Sequence, residues 1–147
     1  MLVKRGFLNK YQLDIALELQ KKIGSRIGKV LILLNFISEE DLAKSLSEYF
    51  SIEYIVFNNK DVDKNLARVF PEEFARANLV LPIKCQDDKI VFVLNDPLNF
   101  VAINKIKSIF NRKIKPVIET ESNIIFLLNY SYSSIKEEEP FKLIKIF

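Results

Sequence analysis

Apolar positions along the chain fall into two textures. Up to Phe50 they recur at spacings of three and four, the period of helices laid on a core. Asn9 is a predicted helix cap, followed by Leu13, Ala16, Leu17 and Gln20, and Gly24 closes that helix. After Arg26-Ile27-Gly28 a short apolar helix is expected over Val30–Leu34. Asn35 can take the left-handed conformation that ends it. Ser38 opens a further helix with Asp41 where a capping box carries Glu. Leu42, Leu46, Tyr49 and Phe50 form its inner stripe.

From Ile52 the texture changes. Ile52–Phe57 reads as extended, and Asp63–Phe70 and Pro71–Ala77 as short helices. Leu79–Ile83 and Lys89–Leu94 read as a hairpin around Gln86-Asp87-Asp88, followed by a turn at Asn95-Asp96-Pro97. A helix from Asn99 carries Val101, Ile103, Ile106, Ile109 and Phe110; a third strand covers Ile114–Ile118. A last helix spans Glu121–Tyr132 with Ile125, Leu128 and Tyr132 inward. The expectation is an α+β chain. An N-terminal helical repeat subdomain of about four helices (1–55) precedes an α/β subdomain (56–134) with a small three-stranded mixed sheet and helices on one face. Residues 135–147, with Lys136-Glu137-Glu138-Glu139-Pro140, read as a charged linker and the start of a following domain.

The helical part repeats. A shift of 29 positions places Leu2 on Leu31, Val3 on Ile32, Gly6 on Asn35, Phe7 on Phe36, Leu8 on Ile37, Leu13 on Leu42 and Leu17 on Leu46. Each unit is an apolar helix end, a turn and an amphipathic helix, and neither can bury its face alone. The counterparts of Arg26–Gly28 fall ahead of Met1, so the first unit begins partway through.

Composition then narrows the chemistry. The chain has 147 residues, 49% of them hydrophobic and 28% charged, which fits a packed core and not a disordered tail. There is no His, which removes Ser-His-Asp and Cys-His catalysis and the commonest zinc ligand. A lone Cys85 cannot form an internal disulfide and reads as a half-buried strand residue. With three glycines there is no GxxxxGK[ST] and no GxGxxG. Net charge is +3, with cations and carboxylates interleaved, so no nucleic-acid footprint is expected. No apolar run approaches the roughly 20 residues of a membrane span. These exclusions point to a binding module, with no catalytic residue and no metal site.

Several segments resemble the N-terminal domain of type II secretion and type IV pilus assembly ATPases, the MshEN (GspE N-terminal) domain. They are Arg26-Ile27-Gly28 with its short helix, FISEEDLAKSLSEYF, PEEFARANLVLPI and IVFVLNDPLNFVAINKIK; the final EEEPFKLIKIF is similar to the entry into the next ATPase domain. The resemblance runs to about Tyr132. It implies a non-catalytic cytoplasmic adaptor that docks a motor to an inner-membrane platform protein, peripheral to that membrane through partners. Any ATPase activity would belong to domains beyond residue 147. In a subset of the family the domain also binds cyclic di-GMP through two tandem RLGxxLVxxG motifs, each followed by spaced leucines and a Gln.

Carried over, the second motif copy keeps Arg26, Gly28, Leu31, Ile32, Leu42 and Leu46, with Ile27 for Leu, Asn35 for Gly and Tyr49 for Gln. The first keeps Leu2, Val3, Gly6, Leu13, Leu17 and Gln20 but has no Arg-Leu-Gly. Asp96 stands where the family places an aspartate that can reach the ligand. The implied ligand set is Arg26, Ile27, Gly28, Leu13, Leu17, Gln20, Leu42, Leu46 and Asp96. Plainer readings stand beside it. Arg26 can be a surface residue, the four leucines helix–helix core, Gly28 a packing contact, Gln20 a solvated position and Asp96 a turn residue.

Overall fold

The computed structural model describes residues 2, 3 and 6–146, with side chains up to Ser133. It divides into two compact units, Met1–Ile52 and Glu53–Phe147.

The first unit holds α1 (Lys10–Ile23), α2 (Ile27–Leu33) and α3 (Glu39–Phe50). Asn9 and Gln12 make a reciprocal capping box at α1: Asn9 Oδ1 accepts from Gln12 N–H at 2.8 Å, and Gln12 Oε1 accepts from Asn9 N–H at 3.0 Å. Gly24 ends the helix in the left-handed conformation. Ser38 caps α3 by accepting from Asp41 N–H at 3.1 Å. The core is small: Leu8, Ala16, Val30, Leu31 and Ile37 are buried, with Leu2, Phe7, Leu13, Ile27, Phe36 and Leu42 among the side chains packed against them. Residues of both repeats thus share one cluster. Tyr49 departs from the expected inner stripe: it is 61% exposed and meets Phe50 edge to face.

The second unit is built on a three-stranded sheet of β1 (Val80–Gln86), β2 (Lys89–Leu94) and β3 (Lys113–Ile118), in the order β1-β2-β3. β1 and β2 form the hairpin, with Asp87 and Asp88 both at positive φ as a type I′ turn requires. A bulge between Pro82 and Lys84 leaves the Ile83 carbonyl to accept from Asp63 N–H at 2.7 Å. β2 and β3 are parallel, joined by α6 (Phe100–Phe110). Five consecutive β2 residues, Ile90 to Leu94, are buried. The sheet is therefore covered on both faces, where one covered face was expected.

Around it lie α4 (Lys64–Val69), α5 (Glu72–Asn78) and α7 (Glu121–Ile146), preceded by one 3-10 turn at Asn59–Asp61. The Ile52–Phe57 stretch makes a single parallel bridge, Tyr54 to Ile118, and no strand. On α7 the buried stripe is Ile124, Leu127, Leu128 and Ser131, with Tyr132 packed against the core; of the expected stripe only Ile125, 43% exposed, faces outward, and Ile124 takes its place. The α7 backbone stays helical to Ile146, through the region expected as a linker. Lys136 and Glu137–Glu139 are good helix formers.

Candidate ligand-binding surface of the N-terminal unit

The backbone repeats as the sequence does. Gly6 N–H donates to Val3 O and Phe7 N–H to Leu2 O, both at 3.1 Å. Twenty-nine residues on, Asn35 N–H donates to Ile32 O and Phe36 N–H to Leu31 O, both at 2.9 Å. These are matching bonds at two turns, the second of which closes α2. Gly6 sits at φ 78° and Asn35 at φ 59°, so Asn carries the left-handed turn that Gly carries in the first copy. Leu8 and Ile37 are buried alike, and Asn9 and Ser38 cap alike. Ala16 and Ser45 are matched too, at 0% and 1% exposure. Ser45 Oγ has no hydrogen-bond partner. The piece before Gly6 is this hydrogen-bonded turn; Met1, Lys4 and Arg5 lie outside the described residues.

Helical geometry sets Leu13, Leu17 and Gln20 on one face of α1, and Leu42, Leu46 and Tyr49 on the equivalent face of α3. The two leucines of each pair differ in role. Leu13 and Leu42 pack against the core cluster, as does Ile27. Leu17 is 39% exposed and Leu46 is half-buried. Gly28 lies directly under Leu42: a Cβ there would sit 3.0 Å from Leu42 Cδ2. Arg26 is exposed, immediately ahead of α2, and its carbonyl accepts from Val30 N–H at 3.1 Å. Gln20 is half-buried. The structure thus brings Leu13, Ile27, Gly28 and Leu42 together, with Arg26 at the adjoining helix start.

Asp96 belongs to the other unit, in the turn after β2. One carboxylate oxygen accepts from Leu98 N–H at 2.9 Å, closing an Asx turn ahead of α6. Asn99 then caps α6 by accepting from Ala102 N–H. Cys85, expected half-buried, is exposed, with Arg112 donating to its Sγ at 3.2 Å.

Sequence reading missed one polar cluster. Glu119 is 1% exposed at the end of β3. Its carboxylate accepts from Phe57 N–H at 3.1 Å, from Thr120 N–H at 3.1 Å and from the Asn123 amide at 2.8 Å. Asn123 also donates to Phe57 O at 2.9 Å. Burial pushes the Glu119 carboxyl above its ordinary range, against the pull of these donors. The cluster ties the 57 segment to the start of α7. Nothing in VIETESN distinguishes this Glu from a solvated turn residue; only the long-range pairing to Phe57 does. A second tie holds α7 to α4: Tyr132 Oη donates to Phe70 O at 2.7 Å, and burial raises that phenol to about 12. Among the described residues no group of His, Cys, Asp or Glu could hold a metal, and no helix is long and apolar enough to cross a membrane.

The chain thus combines a helical unit with an internal repeat and a small α/β unit. The MshEN domain family matches residues 50–138, and the chain belongs to that family. The match covers the α/β unit; the two repeats lie ahead of it. The type IV pilus assembly ATPase PilB of Myxococcus xanthus is 29% identical over 124 residues, 84% of this chain and 22% of that protein. Bacteriophage adsorption protein B of Escherichia coli is 24% identical over 95% of the chain and 19% of that protein. The chain spans about a fifth of these relatives. Among solved structures, MshE with cyclic di-GMP superposes with a TM-score of 0.74 at 28% identity, covering 89% of this chain and 95% of that one. The XpsE N-terminal domain superposes at 0.71 with 17% identity, covering 88% and 89%, which shows the shared fold. As an MshEN domain the chain is non-catalytic, and the ATPase activity of such relatives lies in other domains.

Proposed function

We propose that this domain is the adaptor and regulatory piece of a secretion or pilus assembly ATPase, docking the motor to an inner-membrane platform protein on the cytoplasmic side. The observation that carries this is the similarity to the pilus ATPase over 84% of the chain, against only 22% of that protein. That share supports reading the chain as one module of a larger motor. The test is a pull-down of the purified chain with the cytoplasmic region of the platform protein encoded in the same genome. Retention is expected; no retention on any such component overturns the reading.

A second reading is favoured by the duplicated backbone and by the fold shared with cyclic-di-GMP-bound MshE. In it the repeats grip the two halves of cyclic di-GMP. Arg26 forks onto a phosphate or onto guanine O6 and N7. Gly28, with Ile27 beside it, lets the α2 start approach closely. Leu17 and Leu46 cover guanine faces, supported by Leu13 and Leu42, and Gln20 adds a polar edge. Asp96, on the other unit, is a separate candidate for the guanine N1–H edge. Within these residues the polar grip rests on Arg26 and Gly28 of the second copy. Calorimetry with cyclic di-GMP decides: Arg26→Ala should weaken binding about tenfold, and a flat titration of the parent chain removes this reading.

A further inference from the structure

Between Asp96 and Glu119 the chain carries Lys105, Lys107, Arg112, Lys113 and Lys115 and no carboxylate. Within this stretch α6 turns its exposed residues to one side. At 100° per residue Phe100, Val101, Asn104, Lys107, Ser108 and Asn111 fall within one arc, and all six are exposed, while Ala102 and Ile106 opposite are fully buried. The N-terminal end of this stripe is apolar: Phe100 is 63% and Val101 67% exposed, next to Leu98 at 56%. Its C-terminal end is basic, running through Lys107 into exposed Arg112 and Lys113. Lys113 stands directly opposite Lys89 in the β2–β3 register. Like charges in that position repel, an arrangement that costs stability unless an anion answers it. Asp87 and Asp88 of the hairpin turn are the carboxylates nearest in sequence to Lys89. Arg112 gives one N–H to Cys85 Sγ at 3.2 Å and keeps its other donors, while Lys105 lies over the Phe74 ring at 5.6 Å and Lys115 pairs with Glu53 at 3.0 Å.

We infer that this α6 stripe is a contact surface for an anionic bilayer. Protein interfaces favour Arg and are depleted in Lys, whereas Lys beside exposed Phe and Leu is the chemistry of helices lying in a headgroup layer. Leu98, Phe100 and Val101 enter the acyl boundary, and Lys107, Arg112 and Lys113 meet lipid phosphates. The contact is superficial and needs no spanning helix. It adds a direct lipid contact to a domain expected at the membrane only through partners, and it does not depend on either reading above.

The experiment uses the purified chain and lipid alone. The chain has no Trp, so Phe100→Trp gives a single emitter in the stripe. Vesicles of equal parts phosphatidylglycerol and phosphatidylcholine should co-sediment the chain and shift its emission to the blue; pure phosphatidylcholine should do neither. Lys107→Gln should lower partitioning about fivefold, whereas Lys44→Gln, the same charge change on an exposed residue of α3, should leave it unchanged. Raised salt should release the protein. No sedimentation with anionic vesicles, no blue shift on sedimentation, or equal loss in Lys107→Gln and Lys44→Gln overturns the proposal. The first of these outcomes leaves the stripe to an acidic protein partner.

Discussion

The two repeats of the first unit share a backbone and divide the labour. The same pair of turn hydrogen bonds recurs 29 residues apart, and the same capping position opens each amphipathic helix. What differs is which copy fills the core. Leu31 of the second copy is fully buried, whereas its counterpart Leu2 is only half-buried. At the Ala16–Ser45 pair the first copy holds the better choice, since a methyl needs no partner and a hydroxyl does. A duplicated backbone thus sets where each side chain goes but not how much each site is worth. The largest test follows from the leucines. Leu31→Ala should cost about 3 kcal/mol in urea unfolding, and Leu2→Ala about 1 kcal/mol. Equal losses would mean that the copies contribute symmetrically and that the comparison is misdrawn.

Exchange at the Ala–Ser pair comes next. Ser45→Ala should raise stability by about 1 kcal/mol, because it removes a buried hydroxyl without a partner and fits the helix better. Ala16→Ser should lower stability by about the same amount. Opposite signs at equivalent positions would separate the local chemistry from any general sensitivity of the unit. A loss in both variants would show that Ser45 has a partner in solution. The caps give a matched pair as well. Asn9→Ala and Ser38→Ala should each cost about 1 kcal/mol, measured as a downward shift in thermal midpoint.

Most of the architecture was legible because it is local. The caps at Asn9, Ser38 and Asn99, the left-handed Asn35, the hairpin at Asp87–Asp88 and the 29-residue repeat each rest on a few neighbouring residues. What was hidden depends on distant partners. Ile125 and Ile124 are equally apolar, and only the packing of α7 on the sheet and on α4 selects Ile124. Tyr49 looked like core because aromatic residues on an apolar stripe usually are; at 61% exposure it extends the Leu46 face outward. Glu119 was unreadable for the same reason, since its donors at Phe57 and Asn123 meet only in the folded unit. The candidate ligand residues were legible one by one through family likeness. Their division into supporting leucines, Leu13 and Leu42, and outward ones, Leu17 and Leu46, needed the fold.

The smallest effect tests whether Gly28 serves packing or a ligand. Gly28 opens the second copy, where its contact with Leu42 is described. A Cβ at Gly28 would press on Leu42 Cδ2 at 3.0 Å, while Ala in a helix is intrinsically favoured over Gly. With Leu42 present the two terms oppose, and Gly28→Ala should be neutral to slightly destabilising. With Leu42→Ala the pressure is gone, and the same change should stabilise by about 0.5 kcal/mol. The double-mutant cycle should therefore show a coupling of about 0.5–1 kcal/mol. A coupling near zero would release Gly28 from the packing role, and close backbone approach to a ligand would be the one reason left for a glycine there.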